Sequence, residues 1–204
     1  MSAVEVEKKF LLDDVQKQRL LEGAEPTGSK VITDSYLDSA DYQLTKADYW
    51  LRVRDGAFEL KAPFVSGSGS YEGTNRYREL TDTEDILTEL KLPTEAGIES
   101  ALATAGITAF CICQTERQSY QKEGFTIDID SATYPGSDFT YAVAEIELLV
   151  DDESQADAVE ERILAFANKH DLSMSGIVLG KIAAFLQVEA LDHYRQLVEV
   201  GVLK

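Results

Sequence analysis

Charged residues recur at i, i+2 spacing inside runs that otherwise alternate like strands. The doublets are Glu5/Glu7 followed by Lys9, then Arg52/Arg54, Glu59/Lys61, Asp128/Asp130 and Glu145/Glu147. Residues two apart on a β-strand share a face, so each doublet sets its charges on one side and its apolar neighbours on the other. With Glu79 and Arg117 from similar runs, the chain holds an acidic set (Glu5, Glu7, Glu59, Glu79, Asp128, Asp130, Glu145, Glu147). It also holds a basic set (Lys9, Arg52, Arg54, Lys61, Arg117). Clustered carboxylates suit hard divalent cations: Mg2+ takes oxygen ligands octahedrally and is completed by a few carboxylates, waters and phosphate oxygens. Arginine and lysine suit phosphate oxygens, arginine bidentately. Brought together, the two sets describe a polyphosphate–metal site that neutralises charge on a transferred phosphoryl group. The alternation alone leaves two other arrangements open. One is an open sheet with solvated charged faces, its ion pairs contributing about 1 kcal/mol or less each. The other is a barrel with an apolar interior and its charges outside.

The elements that must position these residues follow from periodicity and breakers. Strands are expected over 4–10, 31–38, 49–54, 57–62, 76–81, 107–122, 125–132 and 141–150. Asp55-Gly56 and Glu123-Gly124 mark tight hairpin turns. Helices are expected over 15–22, capped by Asp13 or Asp14, from Thr81 or Asp82 to Pro93, and over 94–105, 154–170, 181–188 and 191–200. Residues 23–30, with Pro26 and Gly28, are expected as a loop, 39–46 as a turn segment, and the Gly/Ser-rich 64–75 as a mobile loop. Mostly hairpin-connected strands close naturally into an antiparallel barrel. The expected class is α+β: an eight-stranded antiparallel β-barrel with surrounding helices and C-terminal helices, in a single domain over 1–204.

The net charge of −18 argues against nucleic-acid or anionic-membrane partners, which require a basic surface. Cys111 and Cys113 are too close in sequence for an easy disulfide and have no second thiol pair for zinc. They are expected as reduced, partly buried small hydrophobes. No signal-peptide pattern and no apolar run of membrane-spanning length occurs, so the expectation is a cytoplasmic protein. His170 and His193, on helices, are expected at the surface.

Glu5-Val6-Glu7-Lys8-Lys9 matches ExExK, and the chain resembles the triphosphate tunnel metalloenzymes (the CYTH superfamily), in particular their thiamine triphosphatase branch. The resemblance continues through residues 34–38, 47–54, 59–61, 77–80, 128–130, 141–147, Lys181 and 192–200. It implies that the barrel is a tunnel, that the charged faces point inward, and that the tunnel hydrolyses a triphosphate with Mg2+. By the same resemblance, Glu5, Glu7, Asp128, Glu145 and Glu147 hold metal. Lys9, Arg52, Arg54, Lys61, Arg117 and Lys181 grip the triphosphate, with Lys61, Glu5 and Glu7 central to catalysis and Tyr36 orienting a phosphate oxygen.

Glu59, Glu79 and Asp130 are expected as partners of the basic residues, with Lys8 facing away from the tunnel. Trp50, the only tryptophan, shares a strand face with Arg52. Its indole suits a cationic thiazolium, a contact of roughly 0.5–2 kcal/mol. The expected substrate is thiamine triphosphate and the expected state a monomer, with the helices near 181–200 capping one tunnel end. An inorganic triphosphatase or adenylyl cyclase of the same fold, or a non-catalytic polyphosphate binder, remains an alternative.

Overall fold

The computed structural model describes residues 4–63, 74–150, 153–173 and 176–203. The strands are β1 (Val4–Phe10), β2 (Glu25–Asp38), β3 (Trp50–Arg54), β4 (Ala57–Pro63), β5 (Thr74–Leu80), β6 (Thr108–Lys122), β7 (Phe125–Thr133) and β8 (Thr140–Val150). They close into one antiparallel barrel in the order β1-β5-β4-β3-β2-β6-β7-β8. Two meanders, β2 to β5 and β6 to β8, are joined along the β2–β6 pair. On the other side β1 lies between β5 and β8.

The helices are α1 (Asp14–Leu21), α2 (Gln43–Lys46), α3 (Thr83–Glu89), α4 (Ile98–Thr104), α5 (Ala156–Lys169), α6 (Lys181–Glu189) and α7 (Leu191–Glu199). Asp13 caps α1 in a capping box with Gln16, and Asp82 caps α3 by accepting from the Glu84 and Asp85 amides. Among the described residues no helix is long and apolar enough to cross a membrane.

The helices decide which strand faces point inward. Val4, Val6 and Phe10 of β1 and Ile146 of β8 pack under Val159, Ile163 and Phe166 of α5. Leu51, Leu60 and Leu80 pack with Ile86, Leu87 and Leu102 of α3 and α4. With these apolar faces covered from outside, the alternating charged positions face the lumen. A third cluster differs. Cys111 and Cys113 share their strand face with Arg117, and they and Tyr36 are buried with Ile182 and Leu186 of α6 and Leu197 of α7. The inner wall therefore turns from charged to apolar where α6 and α7 meet it. Both cysteines are free, and burial pushes the Cys111 thiol up to about 12.

Several expectations are corrected. Residues 25–30 are strand, because the edge of β6 pairs them, with a bulge between Pro26 and Gly28. Proline fits there because β3 pairs with β2 only from Asp34 to Leu37. The 39–46 segment contains α2, and α4 begins at Ile98 behind Gly97 rather than at 94. Thr74 and Asn75 open β5, while 64–73, expected as a mobile loop, lie outside the described residues.

Both histidines are buried rather than at the surface. His193, on α7, stacks on Tyr42 with ring centroids 3.7 Å apart. Thr45 Oγ1 donates to Asp38 Oδ2 at 2.6 Å, so it accepts from His193 Nε2 at 2.7 Å. Burial holds His193 below its ordinary value. The unfolded chain therefore takes up a proton near pH 6.5 that the folded chain resists, and stability falls as pH drops below that point. His193→Gln, which still donates to Thr45, is expected to flatten the fall in thermal midpoint between pH 6.5 and 5.5. Parallel wild-type and variant profiles would refute this.

Candidate active site

The inner faces of the strands, the start of α6 and the segment after α7 line a cavity of about 400 Å3. Of the residues expected to carry function, Glu5, Glu7, Lys9, Tyr36, Trp50, Arg52, Arg54, Lys61, Arg117, Glu145, Glu147 and Lys181 line it. Asp128 does not, although it is buried beside Arg117.

Strand register explains the grouping. Glu7 pairs across with Glu147 and Lys9 with Glu145, while Glu5 lies opposite Tyr77. Ligand oxygens of Glu5, Glu7 and Glu147 all come within 4.8 Å of one another. Burial raises the Glu5 carboxyl against the pull of Lys61, and burial plus the carboxylates of Glu5, Asp128 and Glu7 push Glu147 up to about 9. Glu7 goes the other way. Burial would raise it, but Lys61 and Lys9 hold it down at about 2. Two buried carboxylates and one half-buried carboxylate, converging under mutual repulsion, fit a hard divalent cation, whose charge relieves that repulsion. The resemblance also placed Asp128 and Glu145 among the metal ligands. The structure does not bring them into this group: Ser119 Oγ donates to Asp128 at 2.6 Å, and Glu145 accepts from Arg117 at 2.7 Å and Lys181 at 3.1 Å.

The basic residues sit around this trio with carboxylate partners. Lys9 donates to Glu7 at 2.5 Å, and Lys61 pairs with Glu5 and lies 3.8 Å from Glu7. Arg52 donates to Glu59 and Arg54 to Asp34, each through Nε and a terminal nitrogen. Arg117 forks onto Asp130 at 2.7 Å through both nitrogens and also pairs with Asp128 and Glu145. Lys181, first residue of α6, pairs with Asp130 and Glu145. Although burial alone would lower each, Arg52, Arg117 and Lys181 are raised by their anionic neighbours and stay charged. Tyr36 stands opposite Arg52 in the β2–β3 register. Burial raises its hydroxyl while Arg52 opposes the shift.

Sequence reasoning missed three features. Asp34, buried, is the partner of Arg54. Asp48 accepts from Trp50 Nε1 and Tyr77 OH at 2.9 Å each. An apolar stretch of the wall comes from Leu149, residues 177–179 and residues 200–203. The unbroken apolar run Ile177-Val178-Leu179 between two glycines was the available signal for the last.

A family model described as CYTH domain matches residues 3–177. A thiamine-triphosphatase from Macaca fascicularis is 29% identical over 213 residues, covering 97% of this chain and 90% of that protein. One from Homo sapiens is 28% identical over 215 residues with the same shares. A putative adenylate cyclase from Vibrio parahaemolyticus shares the fold with a TM-score of 0.59 over 92% of this chain and 100% of that one, at 17% identity. The chain belongs to the CYTH domain family.

Proposed function

We propose that this chain hydrolyses thiamine triphosphate to thiamine diphosphate and phosphate inside the charged barrel, with Mg2+ held by Glu5, Glu7 and Glu147. The observation that carries the reading is one cavity in which three converging carboxylates face a wall of arginine and lysine. The similarity to proteins named thiamine-triphosphatase supports the choice of substrate. When bound, the metal supplies Lewis-acid neutralisation of the phosphate oxygens.

The residues supply the rest. Arg52, Arg54, Arg117, Lys9 and Lys181 take phosphate oxygens in exchange for part of their carboxylate contacts. Glu59, Asp34 and Asp130 hold the guanidinium planes in orientation meanwhile. Water adds to the terminal phosphorus, the bond from that phosphorus to the bridging oxygen breaks, thiamine diphosphate leaves with the charge, and the released phosphate keeps the water's protons. Lys61 neutralises that charge and Tyr36 orients a phosphate oxygen, both preorganised before substrate enters. α6 and α7 close one end of the barrel through the apolar cluster they share with its inner wall.

The deciding experiment compares phosphate release from thiamine triphosphate, inorganic triphosphate and ATP, with Mg2+ and with chelator. Mg2+-dependent preference for thiamine triphosphate is expected. A preference for inorganic triphosphate would keep the charged site and overturn the substrate assignment. No release from any of them would leave a binding site. Trp50→Ala is expected to lower kcat/KM for thiamine triphosphate about tenfold, the scale of one cation–π contact, and to spare inorganic triphosphate. Equal losses on both substrates would count against stacking.

A further inference from the structure

Asp48 occupies an unusual backbone position. Helix α2 ends in a pair of capping hydrogen bonds, from the Tyr49 amide to the Leu44 carbonyl (2.9 Å) and from the Asp48 amide to the Thr45 carbonyl (3.0 Å). This places Asp48 in the left-handed region at φ +62, a position where glycine is favoured and aspartate tolerated. Four other non-glycine residues with positive φ (Asp55, Lys91, Glu123 and Asp171) are exposed. Asp48 instead points into the cavity wall.

There, a single oxygen, Oδ1, accepts from both Trp50 Nε1 and Tyr77 OH. Oδ2 accepts from neither. Among the described residues no lysine, arginine or histidine nitrogen lies within 4 Å of Asp48. Most cavity-lining carboxylates differ: Glu5, Glu7, Glu79 and Glu145 each have a cation within that distance. Glu147 is the other exception, and it belongs to the trio of converging carboxylates. A half-buried carboxylate without a counter-charge is a costly arrangement that a bound cation relieves. The indole beside it offers a face that favours positive charge.

We propose that Asp48 is a specificity-determining residue that meets the positive charge on the organic end of the substrate, so that the cavity selects triphosphates esterified to a cationic heterocycle. The inference deepens the proposed hydrolysis and rests on that reading for the location of the phosphates. The wall is then divided by charge: arginines and lysines take the anionic end, and Asp48 with Trp50 takes the cationic end.

The single tryptophan makes binding of the organic end directly readable, because Trp50 fluorescence is quenched by a ring stacked on it. Thiamine itself, without phosphate, is the probe. Asp48→Asn preserves the acceptor oxygen and the left-handed backbone but removes the charge. Its dissociation constant for thiamine is expected to rise about tenfold, while kcat/KM for inorganic triphosphate stays within about twofold of wild type. Asp48→Gly, suited to φ +62, controls for folding and is expected to lose thiamine binding likewise. Unchanged thiamine affinity in Asp48→Asn, or wild-type fluorescence that does not respond to thiamine, overturns the proposal. Charge-dependent thiamine binding by a wild-type protein that does not cleave thiamine triphosphate would uphold Asp48 and overturn the proposed reaction instead.

Discussion

Glu147→Gln is expected to lower kcat/KM for triphosphate hydrolysis at least ~100-fold while leaving the thermal midpoint in chelator unchanged or slightly raised. Removing one of the three carboxylates proposed to hold the metal should cost more than the ~10–100-fold typical for a group behind a ligand, and 100-fold corresponds to about 2.7 kcal/mol of transition-state stabilisation. The predicted indifference of stability has a separate cause. Among the described residues Glu147 has no cationic partner within 4 Å, and it is surrounded by Glu5, Asp128 and Glu7, which push its carboxyl up to about 9 alongside burial. Without metal at neutral pH this carboxyl is therefore held protonated, so the amide removes no charge and breaks no ion pair. Phosphate release and thermal melts on the same preparation check both halves. Turnover within tenfold of wild type would remove Glu147 from the site, and a large loss of stability would show that its charge is compensated in the fold.

Arg117→Met carries the largest expected effect on folding. This guanidinium sits among Asp128, Asp130 and Glu145, all buried. Taking one partner out of a buried ionic group typically costs 3–5 kcal/mol, because the charges left behind remain desolvated. Lys181 still covers Asp130 and Glu145, so Asp128, left with the Ser119 hydroxyl, bears most of the loss. In a chain of this size that corresponds to a thermal midpoint lower by roughly 10 °C. Protonation neutralises stranded carboxylates, so the deficit relative to wild type should be smaller at pH 5 than at pH 8. Arg117→Lys restores the charge but not the two-nitrogen fork on Asp130, and is expected to recover only part of the loss. A deficit that is small and independent of pH would show that water reaches these carboxylates.

The charged doublets were legible because a strand's period of two writes its faces directly into the sequence. The fold class and nearly all cavity-lining charges follow from that. Which face points inward was not legible in the alternation, because an alternating strand looks the same from either side; only the resemblance implied it, and the positions of α3, α4 and α5 decide it. The strand at 25–30 was hidden because Pro26 and Gly28 are local breakers, overridden by a long partner in β6. His193 was hidden for a related reason. A polar residue on a helix looks like surface until Tyr42 and Thr45, remote in sequence, are brought against it. Asp48 belongs to the same class, since its meaning lies in the backbone angle that turns it toward Trp50. The resemblance placed five carboxylates on the metal, whereas register and ion pairing divide them into the converging trio and a pair bound to Arg117.

The position of β1 has a consequence for how the molecule is made. β1 pairs with β5 and with β8, so it has no second neighbour until β8, Thr140–Val150, has been made. Contacts between distant parts of a chain form slowly, because the intervening loop must first be closed. Glu5 and Glu7 ride on that strand, and Glu147 on its last partner. The three carboxylates therefore converge only in the step that seals the barrel, and a nascent chain lacking β8 has no assembled trio. Barrel closure, rather than the synthesis of any one strand, thus sets when the trio first exists.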